Sequence, residues 1–288
     1  MRNRNVLSSP RLLELKKRRK KAIFNKFFVC LFCFLVILIT LIYFSRLDRF
    51  NINEIQIIGN KVLENETLKT EVLKQITGKY LWFFPKTNFL IYPQHKIETE
   101  LKDKFKRIKD VFINDKNIKT LEISLVEREA LYTWCGEVIP VLNSNSNQKC
   151  YFVDSDGYIF EEAPYFSGGV YFKFYGQTKL DGENPSGFYF LQNKFKEIVK
   201  LKNIIKEIGL APVAFWLDNK GDANFALSSE PTMGGTIIFK LESDFEQIAE
   251  NLDAALTTEP LKSEFKNKYA SLLYIDLRFG NKVYYKFQ

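Results

Sequence analysis

The chain has 288 residues and a formal net charge of +8, and 46% of its residues are hydrophobic. This hydrophobic content is sufficient for a packed core, so disorder of the whole chain is excluded. The charge is unevenly distributed. Residues 1–26 hold ten lysines and arginines and one acid, Glu14, a net charge of +9, so the net charge of residues 27–288 is −1. A folded basic surface for DNA or RNA is therefore excluded. A single histidine, His95, leaves few options for metal binding or acid–base catalysis.

The first predicted element is a membrane-spanning helix over residues 27–45, which carry no charge. At 1.5 Å per residue this segment is roughly 28 Å long, close to the ~30 Å hydrocarbon core of a bilayer. A buried helix of a soluble protein would show a polar stripe, and a cleaved signal peptide would have a shorter apolar run followed by small residues. The segment matches neither pattern.

The basic residues predict the orientation of this helix. Ten lysines and arginines precede it, and only Arg46, Arg49 and Lys61 follow within the next twenty residues. The positive-inside rule therefore predicts that residues 1–26 form a basic cytoplasmic tail and that residues 46–288 lie outside the cytoplasm. The basic tail is also compatible with binding to anionic lipid or nucleic acid, although topology alone explains its charge.

The four cysteines fall into two pairs. Cys30 and Cys33 lie in the predicted membrane helix, where they are expected to be structural. Cys135 and Cys150 lie in the outer part of the chain and bracket an Asn/Ser-rich segment, residues 143–147. In the oxidising space of a bacterial envelope this arrangement favours a disulfide between Cys135 and Cys150.

Residues 50–129 show a β-α-α-β-β order. Apolar alternation predicts a strand that stops at Gly59-Asn60, a strong turn signal. Helical spacing then predicts two helices, one capped at Asn65, and two further strands complete the unit. The predicted elements are a strand over 50–58, helices around 68–76 and 97–105, and strands over 110–114 and 118–127.

Residues 130–288 are predicted to form a mixed β domain with two covering helices. Many short strands are separated by turns, and two apolar stripes at helical spacing mark the helices. The first stripe runs from Leu191 to Ile208, and the second follows a capping signal at Ser243-Asp244-Phe245-Glu246. The chain ends in a hairpin of strands 272–278 and 282–287. The predicted class is therefore α+β, with a single transmembrane helix, the β-α-α-β-β unit and this domain.

No catalytic motif is recognised in the outer part of the chain, so no enzymatic activity and no cofactor are predicted. The segment Asp154-Ser155-Asp156-Gly157 resembles the start of a calcium loop, but Tyr165 stands where that loop requires a glutamate. An Asp-Gly hairpin turn is the preferred interpretation, and no metal site is predicted.

Over about residues 27–288 the chain resembles the FtsQ/DivIB proteins of the bacterial division machinery, whose membrane helix is followed by a POTRA module and a β domain. The resemblance rests on the Gly59-Asn60 turn and on three longer segments. These segments are Ile123-Ser124-Leu125-Val126-Glu127-Arg128-Glu129, residues 151–160 with their Asp-x-x-Gly hairpin, and residues 274–285, which are similar to the closing strand pair of the family. The segment between Cys135 and Cys150 departs from the family pattern.

The resemblance implies a POTRA domain over residues 50–129 and a β domain over residues 130–288. It also implies a non-enzymatic scaffold in the inner membrane at the division septum, which recruits FtsB- and FtsL-like partners and binds neither nucleic acid nor a small-molecule substrate. Because a free edge strand accepts a partner strand, the last strand is the expected partner site. Its residues are Lys282, Val283, Tyr284, Tyr285, Lys286 and Phe287.

Two other classes remain open. A POTRA-bearing factor for envelope protein assembly or transport would share the first outer module, but no barrel-length series of strands follows it. A membrane-anchored wall hydrolase would require an activated acid or nucleophile. Midcell localisation distinguishes the division scaffold from both.

Overall fold

The computed structural model describes residues 10–139, 148–166, 169–178, 184–218, 220–227 and 235–288. The chain divides into two compact units. Unit 1 comprises residues 1–104 and 110–126, and unit 2 comprises residues 105–109 and 127–288. The predicted α+β class is confirmed, because one long apolar helix near the N-terminus is combined with a large mixed sheet.

Helix α1 runs from Pro10 to Ser45, a length of 36 residues. Within the described part of the chain it is the one helix long and apolar enough to cross a membrane. It begins well before the predicted span and includes the basic run at 16–21. At 1.5 Å per residue the helix is about 54 Å long, so its basic first turns extend beyond the apolar part. Cys30 and Cys33 are unbridged and exposed on its surface.

The rest of unit 1 follows a β-α-α-β-β order with an added hairpin. Its three-stranded sheet has the order β1-β5-β4, and β1 runs parallel to β5. A small antiparallel hairpin, β2–β3, lies between the two helices in sequence. The elements are β1 (Glu54–Ile58), α2 (Asn65–Ile76), β2 (Lys79–Tyr80), β3 (Phe84–Pro85), α3 (Gln94–Lys104), β4 (Ile108–Asn117) and β5 (Thr120–Glu127).

The core of unit 1 is formed by apolar residues at the expected spacings. On β5 the buried residues Leu121, Ile123 and Leu125 alternate with more exposed ones, as a strand with one covered face requires. Leu68, Val72 and Ile76 of α2, and Ile97 and Leu101 of α3, are also buried, as helical spacing predicts.

The turn after β1 depends on a glycine. Gly59 has a φ of +86°, and a Cβ atom there would lie 2.2 Å from the carbonyl oxygen of Leu125. Any other residue would clash with this backbone atom, so the Gly59-Asn60 signal has a physical basis. Asn60 completes the turn by donating from Nδ2 to the carbonyl oxygen of Leu63 at 2.7 Å.

Several predicted boundaries in unit 1 are wrong by a few residues. Phe50 belongs to a short 3-10 turn, and β1 begins only at Glu54. The N-cap position of α2 is Glu64, and its side chain makes no capping hydrogen bond. Hairpin β2–β3 was missed because two-residue strands carry no measurable alternation.

Unit 2 contains a nine-stranded mixed sheet. Its order is β14-β13-β12-β11-β10-β9-β6-β7-β8, so β14 and β8 are the outermost strands. The pairs β12–β13, β9–β10 and β6–β9 are parallel, and the others are antiparallel. The strands are β6 (Tyr132–Trp134), β7 (Cys150–Val153), β8 (Ile159–Ala163), β9 (Phe172–Tyr175), β10 (Ala214–Leu217), β11 (Asp222–Ala226), β12 (Thr236–Lys240), β13 (Leu272–Phe279) and β14 (Lys282–Phe287).

The helices α4 (Phe195–Glu207) and α5 (Phe245–Thr257) bury their apolar stripes in the main core of unit 2. This core is rich in phenylalanine, whose rings meet at tilted and edge-to-face angles across neighbouring strands and between β12 and α5. Its fully buried phenylalanines are Phe174, Phe190, Phe195, Phe215, Phe225 and Phe239.

Two predictions for this domain are corrected. Leu191 precedes α4 and has a φ of +46°, so the helix begins only at Phe195. Unit 2 also contains a third helix, α6 (Leu261–Lys268), in addition to the two predicted. Helix α6 is only eight residues long, and its apolar residues Leu261 and Phe265 form a stripe too short to recognise in sequence.

Candidate partner-binding edge

All six residues predicted to bind a partner form strand β14. The strand pairs with β13 on one side, and among the described residues no strand pairs with its other side. Side chains alternate along it: Val283, Tyr285 and Phe287 pack against the core, and the other three are exposed. An edge strand with one buried face is held in place while its outer backbone groups can pair with an added strand.

The direction of the backbone groups follows from one hydrogen bond. The Gln288 N–H donates to the carbonyl oxygen of Ser271 at 2.8 Å, which points it towards β13. Because backbone groups alternate along a strand, the N–H and C=O groups of Phe287, Tyr285 and Val283 point away from β13. The residues that pack against the core therefore also direct their backbone groups to the outer edge of the sheet.

A charged cluster on β13 and β11 holds the hairpin from the opposite face of the sheet. Arg278 donates from Nη1 to Asp222 at 2.6 Å and from Nη2 and Nε to Asp276 at 2.6 and 2.9 Å. Burial raises the pKa of Asp276, but the hydrogen bonds from Arg278 outweigh this effect and the pKa is lowered. The two carboxylates raise the pKa of Arg278 in return.

Two helices contact the same hairpin. Asn251 of α5 donates from Nδ2 to the carbonyl oxygen of Gly280 in the β13–β14 turn at 3.0 Å. Burial and the Glu264 carboxylate of α6, which accepts a hydrogen bond from Tyr285, raise the pKa of the Tyr285 hydroxyl. The hairpin is therefore anchored at its turn and along its inner face, which keeps the outer edge in a defined position.

The cysteine pair lies towards the other end of the sheet. A disulfide joins Cys135, just after β6, to Cys150 at the start of β7, with 4.1 Å between their Cα atoms. Five strands separate β6 from β14 in the sheet order, a distance of roughly 29 Å at about 4.8 Å per strand. The Asn/Ser-rich segment at 143–147 lies outside the described residues.

Asp154 forms a hairpin turn between β7 and β8. Its Oδ1 accepts hydrogen bonds from the N–H groups of Asp156 at 2.8 Å and Tyr158 at 3.0 Å, which is an Asx-type turn. Its Oδ2 accepts from Arg128 Nη1 at 2.6 Å. Within the described residues no group of three His, Cys, Asp or Glu side chains is placed to hold a metal ion.

Sequence reasoning did not predict the charged contacts that support the β7–β8 and β13–β14 hairpins, although most of the residues that make them lie in the segments quoted above. The Arg128 and Asp154 side chains are only 10% and 4% exposed, so their ion pair is largely buried. Arg128 also lies over the Tyr158 ring, 3.7 Å from its centroid. Asp276 and Arg278 are two apart on one strand, a spacing that places them on the same face. That spacing could have predicted the pair between Asp276 and Arg278. No sequence pattern could have predicted that Asp222, 56 residues from Arg278, joins them.

A comparison with protein-family models finds no match for this chain, and a comparison with curated proteins finds none either.

Proposed function

We propose that this protein is a membrane-anchored, non-enzymatic scaffold of the bacterial division machinery, with the FtsQ/DivIB architecture that its sequence resembles. In this proposal α1 spans the inner membrane with its N-terminus in the cytoplasm, and unit 1 contains a POTRA domain. Unit 2 is the β domain that recruits FtsB- and FtsL-like proteins at the septum. The protein acts by holding partners and needs no cofactor.

The observation that carries the proposal is the outer edge of β14 at the end of the nine-stranded sheet, with which no strand pairs in the part of the chain that the structure describes. A partner strand would pair with the outward N–H and C=O groups of Val283, Tyr285 and Phe287. The exposed Tyr284, Lys282 and Lys286 would contact side chains of that partner on the open face. Main-chain hydrogen bonds supply affinity in this mode, and side-chain pockets supply specificity.

The edge mechanism is tested by proline substitution along β14. Val283→Pro and Tyr285→Pro each remove an N–H that points outward, while the N–H groups directed to β13 remain. We expect both variants to lose capture of the FtsB-like protein encoded by the same organism. Capture is measured with the full-length chain in detergent, alongside circular dichroism to verify that the fold is retained.

Two control substitutions separate the backbone from the side chains. Tyr285→Phe keeps the strand and removes only the hydroxyl bonded to Glu264. Tyr284→Ala keeps the backbone and removes an exposed ring together with its edge-to-face contact with Phe279. We expect Tyr285→Phe to bind normally and Tyr284→Ala to bind more weakly but measurably. If every folded proline variant between 283 and 287 captures the partner as wild type does, β14 is not the interface.

The function as a whole is tested in cells. A fluorescent fusion should concentrate at midcell, and protease added outside intact spheroplasts should remove the part of the chain after Arg46. A fusion distributed evenly around the envelope would instead favour the alternative, a POTRA-bearing factor for protein assembly or transport. Protection of residues 50–288 from the protease would refute the topology.

A further inference from the structure

The hairpin β2–β3 of unit 1 exposes an unusual amount of apolar surface. Leu81 and Trp82 at its tip are 79% and 87% exposed, and the neighbouring Phe83 is 50% exposed. A second turn in the same unit exposes Leu90 at 75% and Ile91 at 40%. Contiguous exposed apolar residues on a soluble surface mark a site that contacts another molecule or a membrane.

The backbone at the tip is unfavourable for the residues it carries. Leu81 and Trp82 have φ angles of +46° and +70°, a region in which bulky side chains are rare. A hairpin tip with two left-handed residues is normally built from Asn and Gly, which adopt this conformation readily. Leu and Trp weaken the turn, so their presence is explained by a contact that the apolar side chains make.

Hydrogen bonds hold this hairpin beside the end of α1. Arg46 donates from Nε to the carbonyl oxygen of Phe83 at 3.2 Å. Asn88, after the hairpin, donates from Nδ2 to the carbonyl oxygen of Ser45 at 3.2 Å. Cα atoms of α1 and β3 approach within 8 Å. Since Ser45 ends the apolar helix, a bilayer spanned by α1 would end near the level of this hairpin.

Three residues in the second half of α1 are less exposed than the rest of its apolar segment. In the apolar segment 27–45 every residue is exposed except Leu38, Ile42 and Ser45. These three are spaced four and three apart, so they form one stripe on the helix. Leu38 lies seven residues before Ser45, which is about 10 Å deeper along the axis.

We propose that the β2–β3 hairpin is a second membrane contact, in which Leu81, Trp82 and Phe83 insert into the interfacial layer of the outer leaflet beside α1. Trp and Tyr are enriched at this layer because their rings are apolar and their polar edges bond to headgroups and water. Lys79 and Lys86 flank the tip, and Lys86 Nζ lies 5.5 Å from the centroid of the Tyr80 ring. Basic residues beside an interfacial hairpin would attract the phosphates of lipid headgroups. The contact fixes the orientation of unit 1 on the membrane. It rests on the proposed function only in requiring that α1 spans the bilayer.

The contact is tested with the full-length chain in nanodiscs made of plain or brominated phospholipid. Trp82→Phe isolates the emission of Trp82 by difference from wild type, and Trp216→Phe is a matched control in unit 2. We expect brominated lipid to quench the Trp82 emission, more strongly with bromine near the headgroup than near the middle of the acyl chain. The Trp216→Phe variant should keep this lipid-dependent component. Trp82 emission that is indifferent to bromination but quenched by aqueous acrylamide would overturn the inference and leave the hairpin free for a protein partner.

A second variant separates membrane contact from turn stability. Leu81→Asn combined with Trp82→Gly installs a sequence suited to the left-handed turn, so the isolated turn should become more stable. We nevertheless expect amide hydrogen exchange at residues 79–85 in nanodiscs to become about tenfold faster, a loss of about 1.4 kcal/mol of protection. Exchange that stays equal or slows would contradict a membrane contact.

Carbonate extraction of cell membranes distinguishes a failure of the α1 membrane anchor from a failure of the hairpin contact alone. Wild-type chain that is extracted by carbonate would show that α1 does not anchor the protein, and the proposed function would fail. Wild-type chain that stays in the membrane, combined with unquenched Trp82, would overturn only the hairpin contact.

Discussion

Replacing Arg278 with methionine is expected to destabilise unit 2 by about 2–3 kcal/mol. Hydrogen bonds to charged groups contribute about 1.5–3 kcal/mol each, and removing one partner of a buried ion pair costs about 3–5 kcal/mol. The Asp276 side chain is 8% exposed but that of Arg278 is 29% exposed, so solvent screening reduces the loss below the fully buried range. Because this cluster holds β13, partner capture by β14 should weaken in parallel.

The loss of unfolding free energy in Arg278→Met should also depend on pH, which tests the role of Asp276 directly. In wild type the pKa of Asp276 is lowered from its ordinary value of 3.8. Its stabilising contribution is therefore complete above that value and is lost as the pH falls through the pKa of the folded state. Without Arg278, burial should raise the pKa of Asp276 instead, so protonation relieves an unpaired buried charge. The difference in unfolding free energy between wild type and Arg278→Met should therefore shrink as the pH falls from about 7 to about 3.

The assay is guanidinium chloride denaturation of the full-length chain in detergent, followed by tryptophan fluorescence at both ends of this pH range. Lys200→Gln is the matched control, because it removes the cation of an exposed ion pair with Glu246, whose side chains are 64% and 74% exposed. An exposed pair of this kind contributes about 0–1 kcal/mol. A loss in Arg278→Met no larger than in Lys200→Gln, or one that does not change with pH, would refute the role of the charged cluster.

Three other expectations follow from unit 2. Asp154→Asn should cost about 3 kcal/mol of unfolding free energy, because it leaves Arg128 without its buried anion, whereas Lys149→Gln at an exposed pair should cost under about 1 kcal/mol. The disulfide between Cys135 and Cys150 closes a 16-residue segment including both cysteines. Its reduction should lower the unfolding free energy by about 3 kcal/mol in denaturation experiments. Partner capture should stay unchanged, because the disulfide is far from β14. Hydrogen bonds from Lys196 and Lys109 lower the pKa of Asp156 to about 2. Acid titration between about pH 4 and pH 2 should therefore destabilise wild type more than Asp156→Asn.

Features that depend on local patterns could be predicted from the sequence. A charge-free run predicts the apolar part of α1, residues 27–45, because the capacity to span a membrane depends on length and composition. It does not predict the basic turns that begin at Pro10. Alternation and helical spacing predict β5, α2 and α5, since each of these elements covers a core with one face. The six residues of β14 were recognisable as a strand for the same reason, and Gly280-Asn281 marked the turn before them.

Which of these strands is an edge, and which residues support it, depends on contacts between distant parts of the chain. Sheet order depends on pairings between distant segments, so no local pattern places β14 outermost or directs the N–H of Tyr285 outward. The hairpin at Leu81 was invisible because its strands have two residues each and its tip contradicts ordinary turn chemistry. The contact between Arg278 and Asp222 joins residues 56 apart in sequence. Their distance in space is set by the positions of strands β11 and β13 in the sheet. A single sequence carries no signal for a contact between residues so far apart in the chain.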